Sequence, residues 1–273
     1  KATHVLAKNL DRVIDITFYA VPEAKTSNDR HRPVGLGVQG LQNVFWMLGL
    51  PFESPEAAAL NKRIFETMYH AALTASSELS QIHGPYPTFQ GSPASEGSLQ
   101  YDLWGVQPTP GTGLDWDALK ESIKKNGLRN SLSLAPMPTA STSILFGNVE
   151  AFEPISSNVY VRKTLAGEFV MINKYLVRAL REVDLWTTDM RHAIVRNDGS
   201  IQNMPEIPSR IRELYKTAWD ISMKHLIDMA ADRGAFVCQS QSLNLWSAAP
   251  TFRKLSSMHM YAWRRGLKTG VYY

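Results

Sequence analysis

Residues Arg32 to Leu50 read RPVGLGVQGLQNVFWMLGL, and Gly35, Gly37 and Gly40 within them spell G-x-G-x-x-G. That spacing cradles a dinucleotide when it follows a strand, opens a helix and leads to a second parallel strand with an acidic residue about 20 positions on. A helix is expected from Gln39 to Met47. The preceding KTSNDRHRP is polar and ends in proline, which makes a poor central strand. The following GLPFESPEAAA is a turn and then another helix, with Glu53 and Glu56 in the turn, so no second strand stands where a ribose would be held. The glycines therefore read as a tight turn and a close packing contact, which the lack of a Cβ allows.

Outward from this stretch, helices and strands alternate. HVLAKNLDRVIDITFY starts as an amphipathic helix with Val5, Leu6, Leu10, Val13 and Ile14 on one face. Ser54-Pro55 reads as an N-cap and first turn, followed by helical period through Leu60, Ile64, Phe65, Met68, Ala72, Leu79 and Ile82 to a cap at Gly84. Residues 84–113 are rich in glycine and proline and read as a long loop. A short helix is expected over Trp116–Asn126, and a strand over SLSLAP (131–136). A long helix over Ser209–Ala231 carries Ile211, Leu214, Ala218, Ile221 and Met229 inward and stops at Gly234. AFVC then reads as a strand, Thr251–Arg265 as a helix ended by Gly266, and GVYY as a last strand. This is an α/β pattern, without repeats or linkers, and the whole of 1–273 is taken as one domain piece.

The bulk properties narrow the function classes. The chain has 273 residues, 44% hydrophobic and 20% charged, with a net charge of +4 spread without a basic stripe, so nucleic-acid binding is not expected. No stretch suits a membrane span and no signal peptide is apparent. A single cysteine, Cys238, excludes an internal disulfide and points to a reducing, cytoplasmic setting. The seven histidines show no metal-binding spacing, and His225 and His259 fall within expected helices. No nucleophile elbow or P-loop occurs. Lys1 at the start and the apolar KTGVYY at the end read as a piece cut from a longer polypeptide.

Two stretches suggest chemistry. APMPTASTS places Thr139, Ala140, Ser141, Thr142 and Ser143 just after a strand, where hydroxyls and free N–H groups suit a phosphate or diphosphate. By itself the pattern favours a plainer reading, a polar turn with an N-cap. The second is the pair Tyr272 and Tyr273, for which packing on opposite faces of a strand is the ordinary explanation.

Taken together, RPVGLGVQGL, LNKRIFETMYHAAL, GLRNSLSLAPMPTASTS, MAADRGAF, QSQSLN and SMHMYAWRRGLKTGVYY closely resemble the large, catalytic subunit of class I ribonucleotide reductase in its eukaryotic and viral form. The resemblance runs in order over about 4–273. It implies half of a ten-stranded α/β barrel, the C-terminal half, with helices packed outside the strands, and assigns the glycine stretch to the scaffold. It matches Thr139–Ser143 to the substrate-diphosphate loop and Tyr272 and Tyr273 to the end of a radical-transfer path. It implies radical reduction of ribonucleoside diphosphates together with an N-terminal half, a radical-generating small subunit and a thioredoxin or glutaredoxin type reductant. No cofactor is expected on this chain, since the family's metal and radical cofactor belongs to the small subunit. The thiyl-radical cysteine, the redox pair and the effector sites have no counterpart here, and Cys238 reads as a small apolar strand residue. The usual Gln-Ile-Leu-Gly-Asn-Asn after the loop is replaced by Ile144, Leu145, Phe146, Gly147, Asn148 and Val149. A retired fragment with a structural or interaction role is the alternative.

Overall fold

The computed structural model describes residues 1–269; GVYY, with Tyr272 and Tyr273, lies outside the described residues. Its spine is a 29-residue helix, Pro55–His83. The chain enters it at Ser54, whose Oγ accepts the Ala57 N–H at 3.1 Å, and leaves it at Gly84 with φ +78°. Its buried stripe includes Ala57, Phe65, Tyr69, Ala72, Leu73 and Leu79. Ile82, expected inward, is 73% exposed because it follows the last packed turn. Two polar groups on the stripe are paired: Asn61 Nδ2 donates to Met229 O at 3.0 Å and Ser80 Oγ to Asn126 O at 2.6 Å.

Against this spine pack helix α1 (Ala2–Ile16), the helix Trp116–Asn126 and the helix Met223–Gly234. The stretch 84–113 contributes only a 3-10 turn, Pro93–Glu96, and one helical turn, Gln100–Leu103. It nonetheless walls the core with Tyr86, Phe89, Leu99 and Tyr101. In α1 the expected face is displaced: Ala7, Asp11 and Ile14 are buried, whereas Val5, Leu6 and Val13 are about half exposed. Asp11 turns the helix inward, because its Oδ1 accepts from Arg32 Nε and from Asn130 Nδ2, both at 2.9 Å. A buried carboxylate must be paired, and this requirement outweighs the exposure of a few aliphatic groups.

Behind the spine, three extended segments lie side by side. Val34 N–H donates to Leu132 O at 3.1 Å, Leu36 N–H to Ser133 O at 2.8 Å and Ala135 N–H to Leu36 O at 2.8 Å, with one parallel bridge, Leu36 to Leu134. Gln239 N–H reaches Leu134 O at 3.2 Å. Neither SLSLAP nor AFVC forms the full strand expected of it. Residues 235–237 continue the preceding helix as a turn, and the Cys238 thiol instead accepts the N–H groups of Ser133 and Leu134 at 3.0 and 3.1 Å. A side chain thus takes the donors that a ladder would have used, and Cys238 acts as a hydrogen-bonded thiol within a turn. The glycine motif serves this contact. A Cβ on Gly35 would stand 3.2 Å from Ala135 Cβ, and one on Gly37 3.2 Å from Ala135 O. Gly40, with φ +77°, opens a helix over Leu41–Leu48.

The one regular sheet among the described residues is an antiparallel hairpin, β1 (Val159–Thr164) and β2 (Gly167–Ile172), which the sequence reading does not include. Helices Lys174–Glu182, Thr188–Arg196 and Ser209–Leu214 build a further core around Trp46. The long helix expected over 209–231 is broken between Leu214 and Met223. Asp220 accepts from Thr217 N–H and Ser200 Oγ, at 2.8 and 2.9 Å, and Ala218 N–H donates to Ile155 O at 2.7 Å. These tertiary bonds replace helical ones. Most of the inward residues survive the break: Ile211, Ala218, Ile221 and Met229 are buried, while Leu214 at the break is only partly so. Thr251 caps the helix Phe252–Arg264, accepting the Lys254 N–H at 3.2 Å.

Gly37→Ala is expected to destabilise the fold by about 1–3 kcal/mol, because the methyl group must push main-chain atoms of the neighbouring segment. Denaturant unfolding checks this, through a lower midpoint than for the unaltered chain.

Candidate functional site

The loop following the middle extended segment is held by its own first residue. Thr139 takes a left-handed φ of +57°, its carbonyl accepts the Ser143 N–H at 2.9 Å, and its Oγ1 accepts the Ala151 N–H at 2.8 Å. A non-glycine residue in that conformation bends the chain sharply. The bend leaves Ala140, Ser141 and Thr142 exposed, and their three successive N–H groups make no hydrogen bond among the described residues. Ser143 is the exception, fully buried, with an Oγ that has no partner among the described residues. The five sequence-derived loop residues therefore divide: three face outward, Thr139 fixes the turn and Ser143 anchors it from inside.

The loop's far end returns to the glycine turn. Gly40 N–H donates to Val149 O at 2.9 Å, Val149 N–H to Asn43 Oδ1 at 2.8 Å, and a Cβ on Gly40 would lie 3.2 Å from Asn148 Cγ. Between them a short helix, Thr142–Phe146, leaves Leu145 and Phe146 exposed. Just beyond lies Glu153, 5% exposed, whose Oε1 accepts the Asn244 N–H at 3.1 Å and whose Oε2 has no partner among the described residues. Burial pushes its carboxyl up to about 7, against the opposing pull of the Asn244 N–H, Arg233 and the Trp246 side chain. Arg233 is itself buried, with its guanidinium 3.8 Å from the Phe152 ring centre and hydrogen bonds to Gln241 Oε1 and Asn61 Oδ1 at 2.6 and 3.2 Å. Burial also pushes the Cys238 thiol up, so it stays protonated and is not a nucleophile. Among the described residues no group of three or more His, Cys, Asp or Glu side chains could hold a metal ion.

A family model described as "Ribonucleotide reductase, barrel domain" matches residues 1–273. The chain belongs to that family. It is 56% identical over 271 residues to the ribonucleoside-diphosphate reductase large subunit of Plasmodium falciparum, covering 99% of this chain and 34% of the relative. It is 53% identical over 273 residues to the large subunit of Caenorhabditis elegans, covering 100% of this chain and 34% of the relative. The alpha subunit of the class Id ribonucleotide reductase of Actinobacillus ureae has a similar structure, with a TM-score of 0.75 and 27% identity, covering 98% of this chain and 44% of that one. The chain thus spans about a third of the length of the curated relatives. Its short parallel segments with helices outside are part of the ribonucleotide reductase α/β barrel, and the glycine stretch belongs to the barrel scaffold.

Sequence reasoning missed Asn43, Glu153 and Asn244, which the fold gathers around the loop's far end. A signal existed for two of them: Asn43 interrupts the apolar LQNVFWML, and Glu153 stands in the apolar AFEPI. A polar residue in such a setting must find an internal partner.

The stability of the fold should reflect Glu153. Between about pH 4.5 and 7 the folded chain keeps a proton that the unfolded chain releases, so unfolding free energy falls as pH rises through that window and levels off above it. Glu153→Gln should remove this slope, becoming more stable than the unaltered chain above pH 7 by roughly 3 kcal/mol. Denaturation curves from pH 5 to 8 check the sign.

Proposed function

We propose that this chain provides the substrate-diphosphate loop, Thr139, Ala140, Ser141, Thr142 and Ser143, and the radical-transfer tyrosines, Tyr272 and Tyr273, of a ribonucleoside-diphosphate reductase large subunit. The enzyme so formed reduces ribonucleoside diphosphates to deoxyribonucleoside diphosphates. The observation that carries this reading is the row of three exposed, unbonded N–H groups at Ala140–Thr142 on a loop pinned at Thr139. Successive main-chain N–H groups in a sharp bend form a concavity for anionic oxygens, and hydroxyls at Ser141 and Thr142 add donors.

The remaining parts come from other chains. An N-terminal half of the large subunit would supply the radical and redox cysteines and cover the apolar surface around Leu145 and Phe146. A small subunit carrying the metal and radical cofactor would generate the radical, and a thioredoxin or glutaredoxin type protein would return the reducing electrons. A tyrosine passes a radical on by losing an electron and a proton from its phenol, which phenylalanine cannot do. No helix among the described residues is long and apolar enough to cross a membrane, and the proposed work is cytoplasmic.

The test is conversion of a ribonucleoside diphosphate to its deoxy form by the assembled large subunit, small subunit and reductant. Replacing Ser141 and Thr142 together by Val should weaken diphosphate binding by about 1–3 kcal/mol per lost charged hydrogen bond, read by calorimetry. Tyr272→Phe or Tyr273→Phe should abolish turnover with nucleotide binding intact. Complete assembly without any product would overturn the enzyme reading in favour of a retired fragment.

A further inference from the structure

Several buried polar atoms without partners lie in the loop and in the segments tied to it. Ser143 Oγ, Glu153 Oε2, Ser242 Oγ, Asn244 Oδ1 and Trp246 Nε1 are all buried and unbonded among the described residues. Each such atom costs stability, so each calls for an explanation. Glu153 joins the two strips of chain that carry them. Its N–H donates to Glu150 O at 3.0 Å, and two residues earlier Ala151 N–H holds Thr139 Oγ1. Its carboxylate holds the Asn244 N–H, while Ser242 N–H donates at 3.0 Å to Pro136 O, just ahead of the loop.

We infer that Glu153 is a positioning residue for the diphosphate loop, its carboxyl tying the loop's far end to the Ser242–Trp246 segment and taking up a proton when the diphosphate binds. The inference rests on the reading of Thr139–Ser143 as the diphosphate loop.

The two protonation states call for different partners. Ionised, Oε2 can only accept, and the Trp246 side chain favours that form. Protonated, Oε2 becomes a donor, and the acceptor lacking a partner is Asn244 Oδ1 on the residue whose N–H it already holds. The charged groups acting on it are Arg233 from the helix Met223–Gly234, which favours the ionised form, and Glu150 in its own loop, which favours the neutral one. Burial adds to the second, so the free site is balanced near neutrality. A diphosphate brings further negative charge close to a poorly solvated carboxyl, and this tips the balance to the acid. Binding is therefore coupled to proton uptake at a group that never touches the substrate.

The experiment is calorimetry of cytidine diphosphate binding to the assembled large subunit at pH 7.5, in buffers of different ionisation heat. The unaltered protein should take up more protons per ligand than Glu153→Gln; ionisation of the nucleotide itself cancels in that difference. Glu153→Gln keeps an acceptor for Asn244 and needs no proton, so it should bind as well as the unaltered protein or up to about fourfold more tightly, whereas Glu153→Ala should bind about tenfold more weakly. Equal proton uptake by the unaltered protein and Glu153→Gln would overturn the inference, and it decides the matter even if Glu153→Ala fails to fold. The Ser141/Thr142 double Val variant separates the two claims. If it binds as the unaltered protein does, the loop reading fails; if it binds weakly while both Glu153 variants match the unaltered protein, the loop stands and the positioning role falls.

Discussion

The approach of two main chains, Val34–Gly37 against Leu132–Met137, fixes where the rest of the molecule can go. Their hydrogen bonds of 2.8–3.1 Å require the strips to lie together, and Gly35 and Gly37 permit it because any Cβ there would press on Ala135 or Pro136 at 3.2 Å. The contact aims both chains the same way. One turns at Gly40 into a helix, the other bends at Thr139 into the loop, and the two meet again through Asn43, Asn148 and Val149. A motif that elsewhere admits a cofactor's phosphates here admits a neighbouring strand. The physical property is the same, a missing side chain; what occupies the space differs.

Polar residues buried around this contact do much of the orienting. Asp11 gathers Arg32 and Asn130, Cys238 takes two main-chain N–H groups, and Arg233 bridges Asn61 and Gln241. Apolar contacts tolerate rotation and sliding, whereas a buried donor or acceptor accepts few geometries. That difference explains why α1 presents Asp11 rather than Val13 to the interior, and why a thiol rather than a strand edge closes the third segment.

The loop Thr139–Ser143 and Glu153 illustrate a division of labour between exposed and buried groups. The loop's outward N–H groups are available because Thr139 satisfies the turn with its own carbonyl and hydroxyl. Glu153 lies behind them, out of solvent, where its charge state depends on everything brought near. On the proposed reading, affinity for an anion resides in the loop's main chain and hydroxyls, and sensitivity to its arrival in the buried carboxyl of Glu153.

What the sequence determined by itself is what short-range chemistry specifies. Ser54 and Thr251 cap helices through bonds to residues three positions on, Trp116–Asn126 is a helix as its period requires, and the family is legible in long motifs such as APMPTASTS. Most of the inward set, Ile211, Ala218, Ile221 and Met229 but not Leu214, was also readable, since burial follows hydrophobicity whether or not the helix is continuous. Only the tertiary structure decided that this helix breaks, that α1 turns about Asp11, that the extended segments do not grow into full strands, and that Glu153 meets Asn244. Each of those outcomes rests on a hydrogen bond between residues far apart in the chain, such as Ala218 to Ile155, Asn130 to Asp11, Ser133 to Cys238 and Asn244 to Glu153. Local propensity carries no information about such partners, because a buried polar group is satisfied by whatever folding brings beside it.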